Sequence, residues 1–523
     1  MQHPIGSHFL RDESGAVAAT YALSLTALIV IAGVGFDYGR LATMDSELQN
    51  GADQAALAGA TQLDGKPRAC ERAALAAVSL VTNTTVLANS ASTIVVANET
   101  ACDKSGTVKF WKDKNGTIEA TIDADARFIE LTVEARTVDY AFTPIVGLFT
   151  SPSITAGAMA GLGSSICKAP PVFMCNPNEG SDPNFTISNY VGKGIRLIAN
   201  DNGPTYGAGN FGFLQTTGGG GNGPDALRGA LGKLDQPGDC LAEDGVTTKT
   251  GQNSSALDAL NTRFDIYTGN TNVVCGSNGA GCPASANSRK DVVHKGSASQ
   301  CSIGGGNGWQ LSANPYIPTS ATVPLTNTQA DALSPMGYPR DMCHAISTTG
   351  SCSGGMIGNG VWDRNAYFRS HRDFGYALGF DISTTFGTST PTRYQVYKYE
   401  AANAATRLLD NNNARVGPSL TARPKAYCTS PGIPVGTTAI DRRVIPMAVI
   451  NCGSGINGSS GPHDPVAWVD VFLPEPSVRR RVGGTTYTEA SDVYIEVIGA
   501  TTLGGGGSTA SQLIRRDVPY LVR

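Results

Sequence analysis

The sequence predicts an α+β protein: a long N-terminal helix that crosses a membrane, an antiparallel meander beside it, and then a large β-rich extracytoplasmic region. Three observations carry that prediction. Residues Ser14 to Phe36 form a run of 23 without a charge. Apolar and small residues then recur at steps of three and four as far as Gln62, which is helical spacing. Beyond that point, short apolar or alternating stretches are separated by clusters of Gly, Asn, Ser and Pro.

The uncharged run reads SGAVAATYALSLTALIVIAGVGF and contains no proline. As a helix it spans about 35 Å, slightly more than the roughly 30 Å hydrocarbon core. A cleaved signal peptide has a shorter apolar region, of about 7–15 residues, so the run reads as a retained single-pass span bounded by Ser14 and Phe36. Arg11 precedes it and Arg40 follows it, so flanking positive charge does not orient the helix. The cysteines do. All twelve lie between Cys70 and Cys452, beyond the span, and disulfides persist outside the cytosol. The body is therefore expected on the exported side, with residues 1–13 as a cytoplasmic tail.

Composition agrees with an exported body. Only 16% of the 523 residues are charged, against about 25% in ordinary soluble proteins, and a net charge of −4 gives no electrostatic basis for nucleic-acid binding. Apolar residues at 41% suffice for a sizeable core.

After the span, Leu41, Met44, Leu48, Ala52, Ala55 and Gly59 mark one face of the continuing helix. Its later half is made of small residues, which allow close helix approach either within its own domain or between molecules. Pro67 to Leu80 reads as a second helix. Thr107–Trp111 and Thr117–Ile122 flank Asp113-Lys-Asn-Gly116 as a hairpin, and Phe128–Val138 and Pro152–Leu162 supply further strands. From residue 176 onward, strands are expected at 194–199, 393–399, 443–450, 466–473 and 492–498, and helices at 224–234 and 254–264. The organisation is thus a tail at 1–13, the membrane helix and its extension at 14–62, a small α+β domain at 63–165, and a large β-rich domain at 166–523. Cys70 and Cys102 are candidates for one disulfide, and Cys167 and Cys175, flanking two prolines, for a local one.

The N-terminal segment resembles a known family. Gly15 opens the apolar run, Asp37-Tyr-Gly-Arg40 closes it, and Leu48-Gln-Asn50 is followed by Ala52-Asp53-x-Ala55-Ala56-Leu57-Ala58-Gly59. This combination resembles the N-terminal domain of TadG-like proteins of the Tad machinery, which assembles Flp-type pili in bacteria. The resemblance covers about a tenth of the chain. It implies a pilin-like arrangement for the helix and meander, and a membrane-anchored structural or minor pilin-like component acting in pilus biogenesis and surface adherence. It also implies an inner-membrane location, pilus-assembly proteins and pseudopilins as partners, and peptidoglycan or an outer-membrane secretin as further contacts. Prepilin-like proteins of that machinery are processed after a Gly, which here would be Gly15, leaving Ala16 first and Thr20 fifth. The carboxylate expected at the fifth position is missing, so Thr20 cannot pair with a neighbour's α-amino group, and processing at Gly15–Ala16 is the weaker alternative.

No catalytic set converges, and the expectation is a non-enzyme without cofactor or metal. Gly218–Gly221, Asn222 and Gly223 precede a helix but lack the Gly-Lys-Ser/Thr of a phosphate loop. Gly350-Ser-Cys352-Ser-Gly354 imitates a nucleophile elbow, with His344 and His371 as paper partners, but an exported cysteine would be oxidised. Asp381-Ile-Ser383-Thr-Thr385 loosely resembles the metal motif of von Willebrand A domains and would suit Mg²⁺ or Ca²⁺. It underlies the alternative reading, a membrane-tethered metal-dependent adhesin or hydrolase using residues 166–523. Six histidines, two of them in the tail, form no zinc spacing. Arg442-Arg443, Arg479-Arg480-Arg481 and Arg515-Arg516 read as solvated basic patches.

Overall fold

The computed structural model describes residues 13–80, 101–137, 140–142, 153–199, 205–215, 223–234, 240–242, 245–249, 254–276, 279, 281–294, 301–303, 308–408, 441–453, 455–457, 460–501 and 514–522. The chain is α+β: a long apolar N-terminal helix followed by a β-rich region with several sheets. It divides into two compact units, 1–163 with 517–523, and 164–516.

In the first unit, α1 (Glu13–Ala60) runs unbroken for 48 residues and α2 (Ala69–Leu80) follows after a short turn. The start of α2 is held from a distance. Asp123 accepts the backbone N–H groups of Arg68 at 2.9 Å and Cys70 at 3.0 Å, taking donors that a helix start leaves without partners. Cys70 is joined to Cys102. Strands β1 (Val108–Trp111), β2 (Phe128–Thr132) and β3 (Gly157–Cys167) pair antiparallel in that order, with Phe110 opposite Ile129 and Leu131 opposite Ala158.

The small-residue face of α1 is covered by its own unit. Met44, Leu48, Ala52, Ala55, Ala56 and Ala60 are fully buried against Cys70, Ala73, Ala74 and Ala77 of α2 and against Val108, Ile129 and Leu131 of the sheet. A Cβ on Gly59 would lie 2.6 Å from the end of Ile129 and 3.1 Å from the carbonyl of Ala73, so the close approach requires glycine.

Two expectations for this unit change. Residues 117–122 form no strand beyond a single bridge from Glu119 to Trp111. The Asp113 carboxylate accepts the N–H groups of Thr117 (3.0 Å) and Ile118 (2.6 Å), which a ladder would have needed. The last strand, β10 (Ile514–Leu521), pairs with β3, and residues 517–523 belong to this unit rather than to the large one. Tyr520 meets Phe128 edge to face, and Val522 donates to the carbonyl of Met159 at 2.7 Å.

The second unit is built on a six-stranded mixed sheet. Its strands are β4 (Val172–Cys175), β5 (Gly194–Ile198), β6 (Phe211–Phe213), β7 (Val444–Ile450), β8 (Ala467–Phe472) and β9 (Asp492–Ala500), in the spatial order β5-β9-β8-β7-β4-β6. Only β7 and β4 are parallel. Every residue of β7 is buried, because both faces of the sheet are covered. Ile445, Met447 and Val449 enter one core with α3 (Pro224–Gly232) and the helical turns at Ser254–Phe264. Val444 faces a second core with α4 (Arg364–Ser370) and α5 (Arg393–Ala402), while Ala448 and Ile450 enter a third. Pro446 is tolerated mid-strand because its face toward β4 is not yet paired there; that ladder starts at Ala448.

Residues 393–399, expected as a strand, form the first turns of α5. Thr392 and Gln395 make a capping box, the backbone N–H of Gln395 bonding to the Thr392 hydroxyl at 3.1 Å and that of Thr392 to the Gln395 side-chain Oε1 at 2.8 Å. The buried residues Arg393, Val396, Tyr397 and Glu400 then fall at helical spacing.

The expected Cys167–Cys175 pairing does not form. Cys175 ends β4 beside Ile450 of β7 and is joined to Cys452. Cys167, also disulfide-bonded, ends β3 opposite Cys240. Two short extended strands separated by the Pro170-Pro171 turn point the two sulfurs to different neighbours. Cys275–Cys282 and Cys343–Cys352 are the other local bridges among the described residues.

Candidate functional site

The candidate functional element is α1, whose first half is bare and whose second half is packed into its own unit. Around residues 21–36 large apolar side chains stand open on every side: Tyr21 is 74% exposed, Leu28 62% and Ile31 68%. In water that surface would cost roughly 25 cal/mol per Å², so an apolar solvent is its natural surrounding. Among the described residues α1 is the one helix long and apolar enough to cross a membrane. Ser14, Gly15 and Ala16 lie in its first turns, and Phe36 at the far end of the run is exposed.

The junction between the halves is built. Asp37 is buried and accepts the backbone N–H groups of Ala141 at 2.8 Å and Phe142 at 3.0 Å. The Phe142 ring meets Phe36 edge to face, with centroids 5.6 Å apart. Gly33 makes room for it, since a Cβ there would come within 2.7 Å of the Phe142 Cβ. The sequence marks Asp37 as the first charge after the run but gives no sign of a partner more than 100 residues away.

The chemical motifs of the large unit resolve into structure. The Cys352 sulfur is bonded to Cys343 and offers no thiolate. His344 is buried between the Tyr494 hydroxyl (3.2 Å) and the Gly355 carbonyl (2.8 Å), and burial lowers its pKa. His371 is fully buried in a different cluster, against the Tyr367 carbonyl at 2.6 Å. Asp381 caps the short helix Ile382–Phe386, accepting from the Thr384 N–H at 3.0 Å and hydroxyl at 2.7 Å. Residues Gly218 to Asn222 lie outside the described residues.

The basic patches are corrected in part. Arg442 and Arg443 are buried, not solvated. With Arg263 they serve as polar plugs: Arg263 donates to the carbonyl of Leu231 (2.7 Å), and Arg442 to those of Gly232 and Lys233, so the C-terminal carbonyls of α3 meet two cations. Arg443 donates to Leu473, Pro474 and Asn287 carbonyls and lies over the rings of Phe264, Tyr338, Tyr397 and Phe472. Burial pushes Arg442 down to about 10. Arg480 is nearly buried and pairs with Asp291.

Two further charge clusters lie between the sheet and its cover. In one, Arg340 pairs with Glu475 at 2.6 Å and Asp492 at 3.1 Å, and Arg393 pairs with Glu496 at 2.9 Å and with Asp341. In the other, Glu400 accepts the hydroxyls of Tyr338 (2.5 Å), Tyr367 (2.7 Å) and Tyr376 (2.9 Å) and the amide of Asn287 (3.0 Å), beside the Arg289 guanidinium at 3.2 Å. All these groups are closed off from solvent, which suits a structural role.

A cavity of about 860 Å³ does open from this unit, lined among others by Asp182, Tyr190, Lys193, Ser353, Asn359 and the Cys343–Cys352 bridge. Burial works against the charge on Asp182, but donors from Thr186 and Tyr190 outweigh it and hold the carboxyl below its usual range. The lining is amide, hydroxyl, carboxylate and ammonium, equipped to hold a polar ligand. Among the described residues, the two Cys-containing clusters close enough to hold a metal, Cys343/His344/Cys352 and Cys70/Cys102/Asp123, both have their sulfurs in disulfides.

Residues 15–62 match the Tad family, described as putative Flp pilus-assembly TadE/G-like. The match coincides with α1 and its two halves. It supports a Tad/Flp pilus-associated protein whose N-terminal apolar helix is consistent with single-pass membrane anchoring. No curated protein and no solved structure matches the chain.

Proposed function

We propose that this chain is a single-pass structural component of a Tad/Flp-type pilus apparatus in the bacterial inner membrane, acting without catalysis in pilus biogenesis and surface adherence. The observation that carries the reading is the coincidence of the Tad match with α1, one half bare and apolar, the other half packed into its own unit. Residues 1–13 remain cytoplasmic and the disulfide-bonded body is exported, in keeping with four bridges that an oxidising compartment would maintain. The partners are pilus-assembly proteins and pseudopilins, with peptidoglycan or a secretin as further contacts of the large unit. The oxidised Cys352 and the capping role of Asp381 weigh against a hydrolase or a metal-dependent adhesin.

Affinity capture of the tagged chain from crosslinked membranes tests this. Recovery of Flp pilus-assembly proteins in proportion to the bait is expected. A chain that purifies alone while pili still assemble in its absence would overturn the reading.

A further inference from the structure

We propose that the turn at Tyr140–Phe142 is a second membrane contact of the first unit, with the Phe142 ring seated at the edge of the hydrocarbon beside Phe36. The proposal rests on the membrane-span reading of α1. Gly33 lies three residues inside the apolar run, about 4.5 Å along the helix axis from its end. Phe142 packs hard against Gly33, so it is level with the last turn of the span and not beyond it. Both rings of the Phe36–Phe142 pair are about half open, 55% and 46%, and Tyr38, two residues further along the helix, is 70% exposed. Aromatic side chains at that depth are the residues that membrane–water boundaries favour.

Backbone polarity would normally keep a non-helical turn out of this zone, because unpaired N–H groups are costly there. Here Asp37 accepts both the Ala141 and the Phe142 N–H groups, and is itself buried in doing so. Charge-assisted bonds of this type are stronger than neutral ones. The turn therefore enters the boundary with the Ala141 and Phe142 donors paired and a half-open apolar ring beside them. The occupant of this face is lipid, continuous with the lipid around Val34 and Phe36. The consequence is a fixed depth: the unit meets the bilayer at two points, the helix and the turn, and cannot slide along the helix axis.

Site-directed spin labelling of the full chain in phosphatidylcholine–phosphatidylglycerol vesicles tests this. The nitroxide is carried by p-acetylphenylalanine placed at position 34, 114, 141 or 142, and collision with oxygen is compared with collision with a water-soluble nickel chelate. The oxygen-to-nickel ratio at 142 should be severalfold above that at 114, an exposed position in the turn after β1, and approach that at 34. The label at 141 should give an intermediate ratio, and serves if substitution at 142 disturbs the packing. Asp37→Asn should drop the ratio at 142 toward that at 114 and leave position 34 unchanged. A water-like ratio at 141 and 142 with a lipid-like one at 34 overturns the proposal and leaves the span intact. Low access of both reagents at 142 means a protein cover and also overturns it, while a water-like ratio at 34 removes the span reading itself.

Discussion

Cys175 and Cys452, 277 residues apart in sequence, are joined where β4 and β7 run side by side. The bond closes a far longer loop than Cys275–Cys282 or Cys343–Cys352 and ties the only parallel pair of its sheet. Parallel neighbours need a long crossover, so this pairing carries a large loop-closure cost in the unfolded chain. Replacing both residues, Cys175→Ser with Cys452→Ser, should destabilise the unit by about 3–5 kcal/mol. Guanidinium unfolding of the detergent-solubilised chain, followed through Trp309, Trp362 and Trp468, measures it; an unchanged midpoint would contradict the assignment.

Glu400 is the sole carboxylate in a cage of three tyrosine hydroxyls, one amide and the Arg289 guanidinium. Glu400→Gln leaves a buried cation without its counter-charge and turns an amide N–H₂ toward donors. The expected loss is about 3–5 kcal/mol. The double variant with Arg289→Met should recover part of it, which a purely steric effect of Glu400→Gln would not allow.

His371 predicts a pH dependence with a defined sign. Burial, and then the nearby Arg289, push its imidazole well below the ordinary 6.5. The unfolded chain therefore binds more protons than the folded one once the pH falls below about 6.5, and stability declines from there downward. The decline should be shallower in His371→Gln between about pH 6.5 and 5, with His344, shifted the same way, keeping part of it. Apparent melting temperatures of the two proteins across that range decide the matter; parallel curves would refute it.

Gly59 separates α1 from Ile129 and from the backbone of α2. Gly59→Leu forces atoms into a filled contact and should cost about 1–3 kcal/mol despite the better helix propensity of leucine. The readout is Trp111, on β1 of the same unit: its unfolding transition should shift while those of the large unit stay in place.

The parts of the fold that were legible in the sequence are those with a one-dimensional signature. The uncharged run to Phe36 needs no partner to declare itself, and β7, β8 and β9 announce themselves as apolar or alternating stretches between turn clusters. Illegible were the features set by convergence of distant segments. Nothing near Arg442-Arg443 says that the carbonyls ending α3 will meet the first and those of Asn287, Leu473 and Pro474 the second, so a buried plug looks like a solvated patch. Alternation in Arg393–Tyr399 outweighed a capping box that was present at Thr392 and Gln395. Spacing cannot choose Cys452 over Cys167 as the partner of Cys175. At the candidate site the same limit applies: Asp37 is conspicuous, but its acceptor role depends on Ala141 and Phe142.

The pairing of β10 with β3 sets an order of events. Residues 517–522 belong to the first unit but follow residues 164–516 in the chain, so the ribosome delivers the large unit before the small one can close. The usual sequence of maturation, first domain first, is reversed. Until that strand arrives, β3 lacks the neighbour that residues 517–522 supply. A nascent chain of this protein is thus a waiting receptor for its own last segment, and for that interval it is open to any other strand that fits.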